Sequence, residues 1–448
     1  MRLFSLAVFL LFSVVGCAPN QLIRGSTEAC NVAPNDAEAE GCRSSSIENH
    51  DAENYGLGFV EFDDQGSTYD DRRQMTALFR RLEAEAETHD LCMIVFVHGW
   101  KHNASYEDGN VQDFRRLLRQ VAQVELERKS GERARKVFGI YAGWRGLSID
   151  AGEVGRDLTF WTRKNAAHRV AEGSIRELLA RTQALQTRVN KLTWADGSGR
   201  STRLLTIGHS FGGLIVYTAL HQYLIDGAAV LAESSEPVPV PAFGDLVVLV
   251  NPAFEAVRYE PIREIIRQQN AYVRKQNPVF VAVTSKGDWA TGYAFPAGRI
   301  ANTIVEGFKD DAEREEARTA LGHYKPFWTH ELTAATPDAP ARAVSMAAAN
   351  SPVPVQQECR DFEAFNAQWR VDGHLKPGWT RQYTSGAVLH HLAEGDRGYH
   401  ADNPYWIVSA DPAIIKDHND IQSPIFVDFV RQLYDDLVRL TENVQCAR

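Results

Sequence analysis

The chain has 448 residues, which is enough for one large domain with insertions or for two domains. Its 44% hydrophobic and 24% charged residues are typical of a folded globular protein and exclude a wholly disordered chain or a protein of many membrane spans. Acidic residues outnumber basic ones by 58 to 48, and the formal charge of −10 disfavours nucleic acid as a partner, because phosphate binding needs clustered lysine and arginine.

The N-terminus has the features of an export signal. Residues 3–15 are almost wholly apolar, typical of a signal-peptide core and too short to span a membrane. They run into Val-Val-Gly-Cys at residues 14–17, which resembles the bacterial lipobox, in which the cysteine sulfur takes up lipid. The resemblance implies a signal peptide over residues 1–16, a lipidated Cys17 and a protein anchored in the bacterial cell envelope, with Ala18 favouring the outer membrane. The alternative is an ordinary secretory signal with a chance cysteine.

Residues 17–54 are rich in polar and small residues and lack apolar periodicity, so we predict a flexible tether. Export permits disulfides. We expect one bond in the tether and one in the C-terminal part: Cys30–Cys42 and Cys359–Cys446. Cys92 lies in an apolar strand and is expected to be a buried thiol.

From residue 55 onward, strand-like and helix-like segments alternate. Short apolar runs predict strands at 58–62, 91–97, 137–141, 204–207, 246–250, 279–284 and 405–408. Apolar residues at three-to-four spacing predict helices at 70–88, 111–127, 158–192, 211–225, 255–270 and 424–441. This alternation predicts an α/β fold with a mostly parallel central sheet and helices on both faces. Catalytic groups then lie at the carboxyl ends of the strands.

One long segment, residues 291–403, interrupts the alternation. Four prolines punctuate its middle, where no long helix or strand can run: Pro337, Pro340, Pro352 and Pro354. We interpret the segment as an insertion, or cap, over the active site of a single domain that spans residues 55–448.

Residues 208–213 read Gly-His-Ser-Phe-Gly-Gly and follow a predicted strand and precede a predicted helix. A serine hydroxyl must be exposed beside a base to act as a nucleophile, and a sharp strand-to-helix turn flanked by glycines exposes it. Ser210 is therefore the candidate nucleophile. The alternative is a plain glycine-rich turn in a βαβ unit.

An earlier strand ends in Val-His-Gly-Trp at residues 97–100. The oxyanion formed when an ester is attacked needs preorganised N–H donors. We expect one donor to be the backbone amide of Phe211 and the other to lie at Trp100, with Gly99 permitting close approach. The alternative is an ordinary strand end with a packed tryptophan.

Asp288 follows a predicted strand and is the candidate acid that orients the catalytic histidine, with Glu255 as second choice. The alternative is a surface turn in Lys-Gly-Asp. Among 14 histidines, His418 is the candidate base because it follows the last strand and precedes the final helix. His390 and His391, in the insertion, are the alternatives.

Three other histidines, namely His98, His209 and His323, are expected to have structural or site-lining roles. The chain order Ser210, Asp288, His418 is that of α/β-hydrolases. Residues 58–440 resemble this superfamily, and residues 96–104, 208–213 and 285–291 resemble a poorly characterised esterase/lipase-like branch found in microbes. The resemblance implies that these three residues are nucleophile, acid and base. The long segment before His418 departs from the pattern and leaves the pocket shape open.

Residues 142–146 follow a strand at the same predicted edge, so Trp144 and Arg145 are candidates for lining the acyl or head-group pocket, with a loop containing a packed tryptophan as an equal alternative. We find no metal-ligand spacing, phosphate loop or dinucleotide fingerprint, and the chemistry requires no cofactor. These features predict a carboxylic ester hydrolase acting on a small-molecule or lipid ester, lipase- or phospholipase-like at a membrane surface. The alternatives are an acyltransferase or amidase with the same triad, or a non-catalytic lipoprotein that binds a partner.

Overall fold

The structure, a computed structural model, describes residues 16–17, 21–33, 40–127, 134–146, 149–150, 160–233, 236–269, 272–335, 355–393 and 399–442. Within these residues the strands are β1 Gly16–Cys17, β2 Ser26–Asn31, β3 Ser45–His50, β4 Tyr55–Phe62, β5 Leu91–Val97, β6 Lys136–Trp144, β7 Ile149–Asp150, β8 Arg203–His209, β9 Leu246–Val250, β10 Phe280–Ser285, β11 His330–Ala334, β12 Arg370–Val371, β13 His374–Leu375, β14 Thr380–Gln382, β15 Ala387–His391 and β16 Tyr405–Ala410.

The helices in the same part of the chain are α1 Arg73–Thr88, α2 Gly109–Glu127, α3 Phe160–Glu172, α4 Ile175–Val189, α5 Phe211–Glu233, α6 Glu260–Arg267, α7 Phe295–Asn302, α8 Asp311–Arg318, α9 Val355–Trp369 and α10 Pro424–Glu442. A π-helical turn, Ala290–Ala294, leads directly into α7. Helices thus separate most of the long strands, as the sequence pattern predicts.

Twelve strands form one sheet in the order β14-β15-β11-β16-β10-β9-β8-β5-β6-β4-β3-β2. The run from β11 to β4 is parallel throughout, and antiparallel pairs occur only outside it, between β3 and β4, β11 and β15, and β15 and β14. The α/β class with a large, mostly parallel sheet flanked by helices is therefore confirmed. The carboxyl ends of β5, β6, β8, β9, β10 and β16 lie along one edge.

Two hydrophobic cores lie on the two faces of the sheet, and β5 shows how one strand supplies both. Met93, Val95 and Val97 belong to the core beneath α1, α4 and α5, whereas the alternate residues, such as Ile94 and Phe96, belong to the core beneath α2 and α10. Side chains of a strand alternate between the faces, and a strand buried on both sides is apolar throughout. The continuous apolar runs at 91–97 and 246–250 coincide with β5 and β9 for this reason.

The predicted helix 158–192 is two helices, α3 and α4, that meet at Gly173 and Ser174. The break accommodates a neighbouring turn, because a Cβ on Gly173 would lie 2.3 Å from the carbonyl oxygen of Gly66. The amide of Ser174 donates a hydrogen bond of 2.7 Å to that carbonyl oxygen. The sequence spacing carries no sign of this close crossing, because Gly66 lies in a distant loop.

The flexible tether predicted for residues 17–54 is wrong for residues 21–33 and 40–54, which fold onto the sheet through β2 and β3. Arg24 is fully buried there and donates hydrogen bonds to the carbonyl oxygens of Ala104 and Cys42 and to the carboxylate of Glu48. Arg115 donates two hydrogen bonds to the same carboxylate. Buried charges that are paired and hydrogen-bonded let a polar segment order without apolar periodicity.

The predicted cap, residues 291–403, is more varied than the sequence suggests. β11, β14 and β15 from this segment extend the sheet beyond β16 instead of covering the active site. The π-helical turn and α7 follow directly after the candidate acid Asp288. The alternating burial of β15 identifies it as an ordinary half-buried strand, but its short length made it indistinct in the sequence.

The cysteine predictions are tested in part. Cys30 and Cys42 form the expected disulfide. Cys359 is also disulfide-bonded, but Cys446, its predicted partner, lies outside the described residues. Cys92 is buried in β5, as predicted, with its sulfur 3.3 Å from the hydroxyl oxygen of Tyr434.

Among the described helices, α5 alone is long and apolar enough to cross a membrane. Half of its most apolar stretch is buried within the protein, and Leu214, Ile215 and Val216 belong to one of the two cores. Its position against the sheet is that of a core helix.

Candidate active site

The three candidate catalytic residues follow three strands of the parallel sheet. Ser210 comes directly after β8, Asp288 lies three residues after β10, and His418 lies eight residues after β16. These strands belong to the run β16-β10-β9-β8, so their carboxyl ends converge at one edge. The topology therefore brings together side chains that are up to 208 residues apart.

Ser210 occupies a sharp turn between β8 and α5. Its φ of 54° is in the left-handed region, which a non-glycine residue adopts at a cost of about 1–2 kcal/mol. Glycines flank it because the backbone crosses closely there: a Cβ on Gly212 would lie 2.0 Å from the carbonyl oxygen of Val97, and one on Gly208 would lie 2.7 Å from that of Gly212. The glycines at 208 and 212 are thus sterically required, which the sequence reading of this turn anticipated.

The three side chains form one hydrogen-bonded line. His418 Nε2 lies 2.7 Å from Ser210 Oγ, and His418 Nδ1 lies 2.8 Å from Asp288 Oδ2. Ser210 and Asp288 are buried, whereas the His418 side chain is partly exposed. With Nδ1–H donated to the carboxylate, Nε2 faces the hydroxyl as an acceptor, which is the arrangement a general base needs.

Asp288 receives additional support from Thr291, one helical turn further along. The Thr291 amide donates to Asp288 Oδ1 over 3.1 Å, and the Thr291 hydroxyl donates to Asp288 Oδ2. Since that hydroxyl proton is committed, His323 Nε2, 3.0 Å away, must donate to Thr291 Oγ1. Burial raises the pKa of the Asp288 carboxyl, but the hydrogen bonds and charge of His418 and the hydrogen bonds from Thr291 outweigh it, so the pKa lies below the ordinary value.

The backbone of His418 is held by two side chains from neighbouring strand ends. His209 Nε2 lies 2.9 Å, and Asn251 Nδ2 3.0 Å, from the carbonyl oxygen of His418. The Asn251 side-chain oxygen accepts a 2.9 Å hydrogen bond from the amide of Ser285, which ties this contact to β10. Burial lowers the pKa of His209 to about 3, so its ring is neutral at pH 7 and donates through Nε2–H.

The loop after β5 approaches the candidate nucleophile, Ser210, at Gly99. A Cβ on Gly99 would lie 2.8 Å from the Cβ of Ser210, so the loop backbone and the nucleophile turn are in direct contact. His98 fixes this loop: its Nδ1–H donates to the Gly99 carbonyl oxygen over 2.8 Å, and its Nε2 accepts from the amide of Trp144 over 3.0 Å. Burial lowers the pKa of His98 to about 4, which keeps the ring in this neutral form.

The two expected oxyanion donors lie on either side of this contact. Phe211 is the first residue of α5, where amide groups have no partner within the helix. Trp100 follows Gly99 directly. Both aromatic rings pack on Phe160, with ring centroids 4.8 Å from Phe211 and 5.4 Å from Trp100. Phe160 therefore lines this part of the site, a role that its position at the start of a predicted helix did not reveal.

Trp144 lies behind the loop after β5. Its side chain is buried, stacks on His98 and donates its indole N–H to the His98 carbonyl oxygen over 2.9 Å. The adjacent Arg145 pairs with Asp64. Trp144 therefore supports the loop from behind, and these contacts are those of the packed-loop interpretation.

The alternative catalytic residues lie in other surroundings. Glu255 is buried against Lys164, Arg258 and Arg299, and burial, which raises its pKa, is outweighed by these cations, which lower it to about 2. His390 and His391 lie on β15, where His390 contacts Thr333 and His391 accepts from the amide of Gly378. None of the three side chains is hydrogen-bonded to Ser210, whose hydroxyl oxygen lies against His418 Nε2.

Among the described residues, no group of three or more His, Cys, Asp and Glu side chains is placed to hold a metal ion. The side chain of Cys17, the predicted lipidation residue, lies outside the described part, although its backbone pairs with Ile149.

Comparisons of the chain with protein-family models, with curated proteins and with solved structures find no match.

Proposed function

We propose that the protein is a serine hydrolase of the α/β-hydrolase type that cleaves carboxylic esters through an acyl-enzyme on Ser210. The observation that carries the proposal is the line from Ser210 Oγ to His418 Nε2, at 2.7 Å, and from His418 Nδ1 to Asp288, at 2.8 Å. A binding protein needs no such line, whereas nucleophilic catalysis by serine requires a base and a group that orients it.

The topology supports the same assignment. Strand order changes direction at β5, which is flanked by β6 on one side and by β8 on the other. In parallel α/β sheets, ligands bind in the crevice outside the carboxyl ends of the strands at such a reversal. The loop containing Gly99 and the turn containing Ser210 follow the two strands at this point.

In the proposed reaction each of these residues has a role. His418 Nε2 takes the proton as Ser210 Oγ attacks the ester carbonyl carbon, and Asp288 stabilises the imidazolium. The amides of Phe211 and Trp100 receive the oxyanion. His418 then protonates the departing alcohol, and a water molecule, deprotonated by the same imidazole, releases the acid from Ser210.

The proposed setting is the bacterial cell envelope, with the protein attached through lipid on Cys17. The Cys30–Cys42 disulfide supports an oxidising compartment, because such bonds are rare in proteins of the cytosol. A lipid anchor would place the hydrolase beside ester lipids, so a lipase- or phospholipase-like substrate is part of the proposal.

The decisive experiment measures hydrolysis of soluble esters graded by acyl length, together with labelling by a fluorophosphonate probe. The variant S210A should lose labelling and at least about 10⁴-fold in kcat. The matched control is S198A, which removes an exposed serine hydroxyl whose partner is Asp196 in a loop and should leave both readouts unchanged.

Two results would change the assignment. Transfer of the acyl group to an added alcohol in preference to water would identify an acyltransferase. Absence of both labelling and hydrolysis in the folded wild-type protein would exclude serine hydrolysis and favour a binding role.

A further inference from the structure

Exposed apolar side chains are concentrated in one short segment. Among the described residues, nine large hydrophobic side chains are exposed, and five of these lie between residues 289 and 305: Trp289 at 66%, Tyr293 at 69%, Ile300 at 50%, Ile304 at 75% and Val305 at 94%. The four most exposed of the nine are all in this group. We call these five residues the apolar face.

The helical segment that carries the apolar face is firmly attached on its other side. Phe295 is fully buried, and Trp161 packs so closely on α7 that a Cβ on Gly298 would lie 2.0 Å from its ring. Arg299 donates to the Ala317 carbonyl oxygen over 3.0 Å and pairs with Glu255 at 3.1 Å. The segment is therefore anchored by buried aromatic and ionic contacts, and its outward side is the apolar one.

The sequence spacing explains how the face arises. Trp289, Tyr293 and Ile300 are separated by four and seven residues, which places them on one side of a helix. Ile304 and Val305 continue the face in the turn after α7. Scattered exposed hydrophobic residues are ordinary, but a contiguous group is a mark of an interaction surface. Tryptophan and tyrosine are the residues enriched where protein meets the head-group region of a bilayer.

The apolar face lies next to the catalytic residues. Trp289 is adjacent to the acid Asp288, and Thr291, on the buried side of the same turn, bonds to that acid. The nucleophile itself is only 2% exposed. Ser210 and Trp289 both follow strands at their carboxyl ends, so the apolar face begins at the sheet edge that holds the nucleophile.

Strand β1, which contains Cys17, lies near the same carboxyl edge of the sheet. The chain leaves β6 at the carboxyl edge, and Gly146 exchanges backbone hydrogen bonds of 3.2 Å with Lys101 and His102 in the loop after β5. Three residues later Ile149 pairs with the backbone of Cys17, and three residues of extended chain span at most about 11 Å. The predicted lipid attachment point therefore lies near the carboxyl edge of the sheet, where the active-site loop and the apolar face also lie.

We propose that the apolar face docks on the surface of a lipid bilayer and that the substrate is an ester lipid drawn from that bilayer. The docking part stands on the exposed residues and on the position of Cys17, whereas the substrate part rests on the proposed ester hydrolysis. Insertion of Trp289, Tyr293 and the aliphatic residues into the head-group region would hold the catalytic edge against the lipid.

Docking can be measured without any activity assay. The full-length protein is reconstituted on phosphatidylcholine vesicles, and its tryptophan fluorescence is compared with and without brominated phosphatidylcholine. Bromine quenches only tryptophans at bilayer depth, so the quenched fraction should disappear in W289F. The control W194F changes a tryptophan that packs beside Asp90 and Arg200 at the opposite end of β8, and it should keep the quenched fraction. Equal quenching in wild type and W289F would overturn the docking proposal.

The substrate part is tested by a ratio of two rates. In the double variant I304D/V305D, hydrolysis of ester lipid in vesicles should fall about tenfold or more, because withdrawal of even one large aliphatic side chain from an apolar environment changes an equilibrium by about that factor. The rate on a soluble short-chain ester should be unchanged. The control L192D/V371D introduces the same charges at two exposed aliphatic positions elsewhere and should keep both rates.

The outcomes separate the two proposals. No hydrolysis of either ester by the wild-type protein would refute the proposed function, while the quenching result would still decide docking. A parallel fall in both rates of I304D/V305D would refute the substrate part. Dimerisation in lipid-free solution that I304D/V305D abolishes would assign the apolar face to a second copy of the chain and overturn the bilayer proposal.

Discussion

The substitution of Gly99 by alanine tests directly whether the loop that bears Trp100 contributes to the proposed oxyanion site. An alanine Cβ would lie 2.8 Å from the Cβ of Ser210, 2.9 Å from Nδ1 of His209 and 3.1 Å from the His209 carbonyl oxygen. The nearest atom is about 0.6 Å inside the 3.4 Å at which ordinary contact begins. All three atoms belong to His209 and Ser210. The backbone of this turn is fixed by the close contacts at Gly208 and Gly212, so the loop bearing Trp100 must move away.

A displacement of this size has a predictable cost. Misplacement of catalytic groups by about 1 Å can reduce rates by about 10²-fold. For G99A we therefore expect kcat/KM on a soluble ester to fall about 10- to 100-fold, equivalent to about 1.4–2.7 kcal/mol. The loss should be mainly in kcat, because oxyanion donors act in the transition state more than in the ground state.

Steady-state kinetics at 25 °C, combined with urea unfolding, provide the assay. The crowding should also lower the free energy of unfolding by about 1–3 kcal/mol, which leaves the protein folded under the assay conditions. The control is G109A, where an added Cβ meets no atom within 4 Å, and neither quantity should change. A G99A enzyme with wild-type kcat would refute the assignment of this loop to the oxyanion site.

Three further predictions concern the acid and the disulfide. T291V removes the hydroxyl that donates to Asp288 while keeping the side-chain shape, and it should lower kcat/KM about tenfold, with recovery in T291S; an unchanged rate in T291V would contradict the supporting role. Because the folded pKa of Asp288 is depressed, its carboxylate stabilises the fold above its unfolded pKa of about 3.9, and this contribution is lost as pH falls through the folded value. Urea unfolding across this acidic range should therefore show a shallower pH slope for D288N than for wild type, and equal slopes would count against the shift. Removal of the Cys30–Cys42 disulfide in the double variant C30S/C42S should lower the free energy of unfolding, measured by urea unfolding, by about 3 kcal/mol. No change would mean that the N-terminal segment is held by its buried ion pairs alone.

The sequence was sufficient for the parts of the fold that depend on local pattern. Strands buried on both faces are continuous apolar runs, so β5 and β9 were predicted with correct limits. The positions of Ser210, Asp288 and His418 could be inferred because each follows a strand, and parallel strands bring their carboxyl ends to one edge. Their contact was then a consequence of chain order.

Residues that act through distant contacts could not be found in this way. Asn251 holds the His418 carbonyl oxygen across a sequence separation of 167 residues, and Phe160 packs on Phe211, the residue after Ser210. Nothing in the local pattern around either residue points to its partner. The prediction of a flexible N-terminal segment was wrong for a related reason. The order of this segment depends on the ion pair between Arg24 and Glu48 inside the protein, and hydropathy measures apolar content but not whether a buried charge is paired.

The buried Arg24 has a consequence for how far the protein can travel. It is seven residues from Cys17, and a chain of that length extends at most about 25 Å. If Cys17 bears lipid, the folded domain is held within that radius of its own leaflet and cannot sample the aqueous space beyond it. Substrate would then have to arrive by lateral diffusion in two dimensions, and turnover in a cell would depend on the surface density of the ester and not on its bulk concentration.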